Sequence, residues 1–239
     1  MKALTTALTV LTWAIVFTVN AQTADEIITK HFNAIGGKEK VSNIKTIIWE
    51  QTVEVMSNQA SSITTIVNGK GYKNEIDFSG QKIINCITDK GGWTINPMTG
   101  QTTPAPMSEE QYLAGKDQLD IGGPLLNYES KGNKVELAGR ESLNGVDAYK
   151  LKVTTTGNVQ STYFFDPNTF YLLKNVAKMT VNGQDLETTI LFSDYRKTEF
   201  GTLLPWGMEM SLPQGFNIKY STVKVEVNKP VDEKIFQSQ

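Results

Sequence analysis

A period of two in the placement of apolar residues runs through most of the chain and restricts its fold more than any other feature. The stretches TIIWEQTVEV, YKNEIDF, AYKLKV and WGMEMSL each alternate apolar with polar residues. Because successive side chains of a β-strand point to opposite faces, each stretch predicts a strand with one drier and one wetter side. Turn signals such as Asn68-Gly69, Asn144-Gly145 and Asn182-Gly183 separate the stretches. The pattern predicts about eleven strands, joined mostly as sequential hairpins.

Two short helices are also predicted. Thr23–Glu26 is a capping box, in which the Thr and Glu side chains satisfy free backbone donors, and apolar residues at helical spacing follow it as far as Gly36-Gly37. A second capping box, Ser108–Gln111, begins a helix that we expect to fade by Gly122-Gly123. The Thr/Pro-rich segment 97–106 before it is predicted to be a loop.

These helices are too short to cover the predicted sheet. Two helices of about twelve residues are each about 18 Å long, whereas a twisted sheet of about eleven strands presents a long apolar face and tends to curl. The sequence therefore predicts a mainly β (α+β) fold: a curled antiparallel half-barrel with helices covering its concave face. Two alternatives remain for its interior, a barrel filled by side chains or an open half-barrel with a cavity beneath the helices.

The drier side of the predicted strands is rich in aromatic and methionine side chains, which favours an open cavity over a filled barrel. Methionine is flexible and polarizable and suits surfaces that accept varied apolar partners, although each of these residues taken singly is also typical of a core. We interpret segment 97–106 as an arm that carries the Ser108 helix over this cavity as a lid. The candidate ligand-binding residues are Trp49, Phe78, Trp93, Tyr112, Phe165, Trp206, Met208 and Met210.

Residues 1–21 are typical of a secretory signal peptide. Lys2 is the only charged residue before Asp25, a Thr-diluted apolar stretch follows it, and Val19-Asn20-Ala21 offers small residues at the offsets that cleavage requires. A membrane anchor is the alternative, but the stretch is marginal for a span and no basic cluster follows it. We expect export, cleavage near Ala21 and a single domain over residues 22–239 in the periplasm.

The residues that could do chemistry are few. His31 is the only histidine and Cys86 the only cysteine, so that a His/Cys zinc site cannot be assembled, and the Gly-x-Ser-x-Gly motif of many hydrolases does not occur. We expect His31 to pack beside the apolar stripe of its helix and Cys86 to be a buried strand thiol. A pair of glycosidase carboxylates stays open, because their separation is invisible in sequence. We expect no enzyme, no metal and no cofactor.

The formal net charge of −2 and the lack of a basic cluster predict no nucleic-acid partner.

Several motifs resemble the LolA-type family of outer-membrane lipoprotein carriers and sorting proteins, in the branch common in Bacteroidetes-like bacteria. They span residues 22 to 230 and read AIGGKEKV, TDKGGWTINP, GRESLNGVDAYKLKV and, most specifically, TYFFDPNTFYLLK and FSDYRKTEFGTLLP. The resemblance implies a half-barrel plugged by helices on its concave side. It also implies a periplasmic carrier that binds lipoprotein acyl chains or free lipid and passes them to an outer-membrane acceptor protein. We expect this carrier to be a monomer.

One departure from the family concerns release. In proteobacterial carriers a strand arginine contacts the lid and controls release, whereas Arg140 and Arg196, the only arginines here, both sit beside turns and match no such position. The release mechanism of the family therefore does not carry over. Two other functions stay open: a periplasmic sensor of envelope stress on the same scaffold, and a non-enzymatic β-scaffold that binds protein or glycan through its outer face.

Overall fold

A single antiparallel sheet dominates the structure, a computed structural model that describes residues 22–157, 159–181, 184–212 and 215–238. The predicted signal peptide and the turn predicted at Asn182-Gly183 lie outside these residues. The sheet has thirteen strands within the described part of the chain. They are β1 (Thr46–Val55), β2 (Asn58–Val67), β3 (Gly71–Phe78), β4 (Gln81–Thr88), β5 (Gly91–Asn96), β6 (Gln101–Pro106), β7 (Lys134–Leu143), β8 (Val146–Thr154), β9 (Gln160–Phe165), β10 (Leu172–Val181), β11 (Gln184–Lys197), β12 (Leu203–Ser211) and β13 (Asn217–Val227).

The sheet consists of two meanders that meet at the first and the last strand. Its order is β6-β5-β4-β3-β2-β1-β13-β12-β11-β10-β9-β8-β7. In the central pair, Ile47 of β1 lies opposite Val227 of β13. The strands β6 and β7 are consecutive in the chain but form the two opposite edges of the sheet. The segment between them, residues 107–133, therefore has to cross one face of the sheet.

In the part of the chain that the structure describes, three α-helices accompany the sheet: α1 (Ala24–Ala34), α2 (Lys38–Ser42) and α3 (Glu109–Gly115), with a 3-10 turn, Lys116–Leu119, continuing α3. Both predicted capping boxes are present. The Glu26 N–H donates to Thr23 Oγ1 over 3.2 Å, and the Gln111 N–H donates to Ser108 Oγ over 3.2 Å. These side chains satisfy helix donors that would otherwise lack a partner, and they fix where α1 and α3 begin.

The ends of the helices agree with the prediction in part. α1 stops at Ala34 before Gly36 and Gly37, both of which have positive φ, as predicted. α2 was not predicted, because its five residues are too short to show a helical period. α3 is shorter than predicted, since the chain tightens into the 3-10 turn before it reaches Gly122-Gly123.

The sheet has more strands than the predicted number of about eleven. One of the additional strands is β6, which occupies the Thr/Pro-rich segment that the sequence predicts as a loop. Pro104 and Pro106 lack N–H donors, and an edge strand tolerates them because only one of its sides is paired. Trp93 lies opposite Pro106 and Thr94 opposite Ala105, so this part of the expected arm is held against β5.

The contacts of α3 show that the sheet curls into a half-barrel. α3 contacts both β4 and β10, which are seven interstrand steps apart in the sheet. Those steps would span about 34 Å in a flat sheet, whereas α3 is only about 10 Å long. Both α1 and α3 lie on the same face, which is therefore the concave one. The predicted half-barrel with helices on its concave side is confirmed.

The end of the chain covers part of the opposite, convex face. The 3-10 turn Glu233–Phe236 places the Phe236 ring on Gly71 of β3, where a Cβ would approach that ring to 2.7 Å. Phe236 packs with Val67 and Cys86 in a small cluster of its own. The sheet thus has a second, local core on its outer side, over β3 to β5.

Candidate ligand-binding concave face

One end of the concave face is filled by α1. Ile27 and Phe32 of α1 pack with Leu151 of β8 and Phe165 of β9 in the largest buried cluster. Leu151 and Phe165 have no exposed surface. Phe165, one of the predicted ligand-binding residues, is therefore enclosed by the packing of α1.

The middle of the concave face is less covered. Trp206, Met208 and Met210 alternate along β12 on the concave side, and all three are only half-buried. Met208 lies opposite Phe192 of β11 on one side and opposite Tyr220 of β13 on the other, and both of these are half-buried as well. We call these five residues the β12 strip. They form a continuous apolar surface at the level of the sheet.

Trp206 brings a hydrogen-bond donor, its indole N–H, to the β12 strip. The Arg196 guanidinium lies 4.6 Å from the centre of its ring, held there by Asp194 through contacts of 2.6 and 2.9 Å. The Trp206 Nε1 atom is enclosed and has no hydrogen-bond partner among the described residues. An enclosed donor without a partner costs about 1–3 kcal/mol, so the indole N–H would gain by donating a hydrogen bond to a ligand oxygen if the site opens.

The other predicted residues divide between the two faces. Trp49 shares the concave side of β1, and Phe78 that of β3, and both are half-buried. Tyr112 lies on α3 and donates from its hydroxyl to the carbonyl of Thr88 over 3.1 Å. Trp93 lies on the convex face and so does not share the surface formed by the others.

The side chain of Trp93 belongs to the outer cluster. Its Nε1–H donates to the carbonyl oxygen of Phe236 over 2.9 Å, and the Lys73 ammonium lies 5.9 Å from the centre of its ring. A cavity of about 730 Å³ opens beside it, between the turn at Lys90, the edge strand at Pro106 and the chain end at Phe236.

A row of polar side chains crosses the concave floor from β5 to β1, and the sequence analysis did not single it out. The sequence gives one indication of this row: in the alternation along each strand, these residues fall on the same side as Trp49, Ile76 and Ile87. We call it the polar row. Its members are Gln51, Ser62, Thr64, Asn74, Asn85 and Thr94.

The segment that carries α3 is fastened over β2 to β4. A Cβ on Gly115 would approach Ile87 Cδ1 of β4 to 2.4 Å, so α3 lies directly on the floor there. After the 3-10 turn, the Leu119 carbonyl accepts from the Gly69 N–H over 2.7 Å, and Asn68 Oδ1 accepts from the Ile121 N–H over 3.0 Å. The far side of α3 faces a space, not a packed core.

That space is a cavity of about 1400 Å³ at the rim of the half-barrel, larger than most small-ligand sites. Leu113, Asp117 and Leu119 line it from the α3 side, and Thr155 and Lys178 from the far side. Burial, and next the nearby Asp120 carboxylate, raise the pKa of Asp117 above its usual range. Thr155 Oγ1 is enclosed without a partner. None of the eight predicted residues lines this rim cavity.

The two residues considered for catalysis are enclosed. The His31 ring packs on Phe32 and Phe165, and its Nδ1–H donates to the Phe170 carbonyl over 2.9 Å. Burial lowers the pKa of His31 below its ordinary value, although the hydrogen bond to Phe170 acts in the opposite direction. Burial raises the pKa of the Cys86 thiol to about 11. Neither side chain is presented to the concave space as a base or a nucleophile.

Two further properties bear on the kind of site. Among the described residues, no three His, Cys, Asp or Glu side chains are grouped so that they could hold a metal ion. In the same part of the chain, none of the helices has the length and apolar character that crossing a membrane requires.

The chain matches no protein-family model and no curated protein sequence. Solved structures do match it. A LolA superfamily protein from Nitrosomonas europaea is 15% identical, with a TM-score of 0.59 over 91% of this chain and 98% of that one. A putative outer membrane lipoprotein-sorting protein domain from Vibrio parahaemolyticus is 15% identical, with a TM-score of 0.55 over 88% of this chain and 94% of that one. A DUF1329 family protein from Desulfovibrio piger is 11% identical, with a TM-score of 0.53 over 89% and 96%. At such identities the likeness concerns the fold, and this chain has the fold of LolA superfamily proteins, as the sequence resemblance predicted.

Proposed function

We propose that this protein is a periplasmic carrier that binds acyl chains, either of lipoproteins or of free lipid, on its concave face and moves them toward the outer membrane. The observation that carries the proposal is the β12 strip. Its five large side chains are half-buried in the middle of a curled sheet, where a filled barrel would have buried them as fully as Leu151 and Phe165 are buried beneath α1.

The chemistry of the strip fits an alkyl chain. Removing apolar surface from water gains about 0.8 kcal/mol per methylene, and methionine side chains can adjust to chains of different length and saturation. Trp206, Met208 and Met210 lie on one strand at every second position, so they extend as a surface about 13 Å long. A bound chain would complete the burial that the helices leave incomplete.

The position of α3 supports a lid over this surface. The helix bridges β4 and β10 and lies beside the 1400 Å³ rim cavity. An acyl chain could enter the concave space through this cavity, beside α3. One similar structure is that of an outer membrane lipoprotein-sorting protein domain, and we propose a related role for this chain.

Met210→Asp tests the proposal. A carboxylate on the β12 strip should leave the domain folded, because Met210 is only half-buried and the charge can keep some water. It should nevertheless weaken binding of a fluorescent fatty acid by at least about tenfold, through lost apolar contact. The matched control is Val223→Asp on β13, where the side chain is 65% exposed; this change should alter neither melting temperature nor binding.

Two results would count against the proposal. A folded Met210→Asp protein that binds as tightly as wild type removes the β12 strip as the acyl site. A Met210→Asp protein that unfolds while Val223→Asp stays folded would indicate that the strip is a core surface.

A further inference from the structure

We propose that the polar row binds the neutral ester and hydroxyl groups of a diacylglyceryl lipid while the β12 strip holds its acyl chains. This inference rests on the proposed function and names the part of the lipid that the concave face recognises.

The polar row is continuous across the sheet. Thr94 of β5 lies opposite Asn85 of β4, Asn85 lies opposite Asn74 of β3, and Asn74 lies opposite Thr64 of β2. Ser62 of β2 lies opposite Gln51 of β1. Residues paired in this way point to the same face, so the row runs perpendicular to five adjacent strands over about 19 Å.

The row keeps hydrogen-bonding capacity that the protein does not use. The two amide hydrogens of Asn74 are donated to Ser62 Oγ over 3.0 Å and to Thr64 Oγ1 over 2.8 Å, which leaves Asn74 Oδ1 as an acceptor without a partner in the described chain. The Asn85 amide makes no hydrogen bond at all to the described residues.

These free atoms are not sealed inside the protein. In the described chain, only Gln22, Thr155 and Trp206 hold a fully enclosed side-chain nitrogen or oxygen without a partner. The free oxygen of Asn74 therefore borders the space above the sheet, although the residue as a whole is buried. A buried polar atom without a partner costs stability, and a ligand in that space would supply a partner for Asn74 Oδ1.

The charge of the floor restricts the ligand. On the concave side of β1 to β5, which the structure describes in full, no residue is charged, while the convex side of the same strands carries Glu50, Lys73 and Glu75. A phosphate or carboxylate is bound best by Arg or Lys, and an ammonium group requires an acidic partner. Amides and hydroxyls suit an uncharged ester, amide or hydroxyl group instead.

The row also joins the acyl site. Gln51 Nε2 donates to Thr222 Oγ1 of β13 over 3.2 Å, and Tyr220, two residues from Thr222 on the same strand, belongs to the β12 strip. The polar and apolar surfaces therefore meet at β13. A diacylglyceryl group can lay its ester linkages on the end of the row at Gln51 and its chains on the adjoining strip.

The test measures head-group preference. Dioleoylglycerol carries two oleoyl chains and the other competitors carry one chain each, so the preference of each variant is compared with that of wild type for the same three competitors. Displacement of the neutral fluorescent probe N-phenyl-1-naphthylamine would be followed with dioleoylglycerol, with oleate and with the hydrocarbon heptadecene. We expect wild type to prefer dioleoylglycerol, and Asn85→Leu and Thr64→Val each to lower that preference about fivefold to tenfold, because each removes one hydrogen-bonding partner. Binding of heptadecene should be unchanged or tighter.

The control is Thr65→Val. Thr64 and Thr65 are adjacent on β2 and equally buried at 8% exposure, but they point to opposite faces, so the convex change should leave all three competitors unaffected. Asn85→Leu removes no side-chain hydrogen bond within the described residues, so we expect it to stay folded and to keep the test valid if Thr64→Val does not fold.

The outcomes separate this inference from the proposed function. If none of the three competitors displaces the probe, both fail. If heptadecene binds as well as dioleoylglycerol, or if oleate binds more tightly than either, the polar row is not a neutral head-group site while the acyl site stands. A further arm compares dioleoylglycerol with a synthetic diacylglyceryl-cysteinyl peptide; tighter binding of the peptide supports the row with a lipoprotein as its ligand, and tighter binding of the free lipid supports it with a glycerolipid.

Discussion

The indole N–H of Trp93 donates to the backbone carbonyl of Phe236, and this 2.9 Å hydrogen bond fastens the end of the chain to the convex face of β5. The Cys86 thiol lies 3.4 Å from the same carbonyl oxygen. The Phe236 carbonyl oxygen thus accepts hydrogen bonds from side chains of two neighbouring strands, β4 and β5. The Phe236 ring packs on Gly71 of β3 beside them. The last residues act as a clamp over β3 to β5.

Phe236→Ala should loosen this clamp. Phe236 is 6% exposed, and removing a buried phenylalanine costs about 3 kcal/mol or more through lost burial and the cavity that remains. The Cys86 thiol, now shielded and with a pKa of about 11, should then react faster with a thiol reagent at pH 8. Phe216→Ala in the β12–β13 turn, where the ring is 39% exposed, is the control and should change neither stability nor labelling. Equal labelling of Cys86 in wild type and Phe236→Ala would show that the chain end does not protect it.

His31 should make the fold sensitive to mild acid. Burial lowers its folded pKa below the unfolded value of about 6.5, so the unfolded chain binds the proton more tightly. The stability that neutral His31 contributes is therefore complete above about pH 6.5 and is lost as the pH falls through the lower folded pKa. Because His31 is the only histidine, the melting temperature of His31→Gln should show a smaller decrease between pH 7.5 and 5.5 than that of wild type. Identical decreases in the two proteins would assign the effect to carboxylates.

A disulfide between α3 and β4 should block cargo exchange if α3 is a lid. Gly115 and Ile87 are the contacting pair, so Gly115→Cys with Ile87→Cys, in a Cys86→Ala background, offers one bond and no competing thiol. We expect the oxidised protein to exchange a bound fluorescent fatty acid at least about tenfold more slowly than the same protein after reduction, because movement of α3 is then prevented. Exchange at one rate in both states would mean that ligand passes without movement of this helix.

The exported chain should begin at Gln22. Intact-mass measurement of protein from a periplasmic extract should give a chain without residues 1–21, because cleavage is expected after Ala21. Ala21→Lys places a charge at the cleavage site and should leave a precursor in the membrane fraction. Recovery of the complete chain in a salt-washed membrane pellet from wild type would instead support the membrane anchor.

Alternation in the sequence identified which residues share a side of a strand, but it could not identify which side is the inner one. In β5, Trp93 and Ile95 alternate with Thr94 and Asn96, and Trp93 was predicted to line the concave cavity. The structure places that pair on the convex face, because a distant segment, the chain end at Phe236, supplies apolar cover there. Cys86 of β4 lies in the same cluster and is buried there, as predicted for a strand thiol.

Sequence motifs whose interactions join residues close in the chain were predicted correctly. The capping boxes at Thr23 and Ser108 are present because they involve residues only three apart. The polar row could not be predicted in this way. Asn74 joins the row only because it lies opposite Thr64 and Asn85 on neighbouring strands, and that register is set by the whole sheet. Only the fold brings these residues into one line.

The central pairing of β1 with β13 has a consequence for how the chain assembles. Among the described strands, every other pairing joins neighbours in the sequence, so two meanders can form early and independently. The edge of β1 that does not pair with β2 stays unpaired until β13 has formed. Until then its backbone N–H and C=O groups can pair with strands of other polypeptide chains. The slow and vulnerable step of folding is therefore the meeting of two finished halves, and it comes only after β13 has been made.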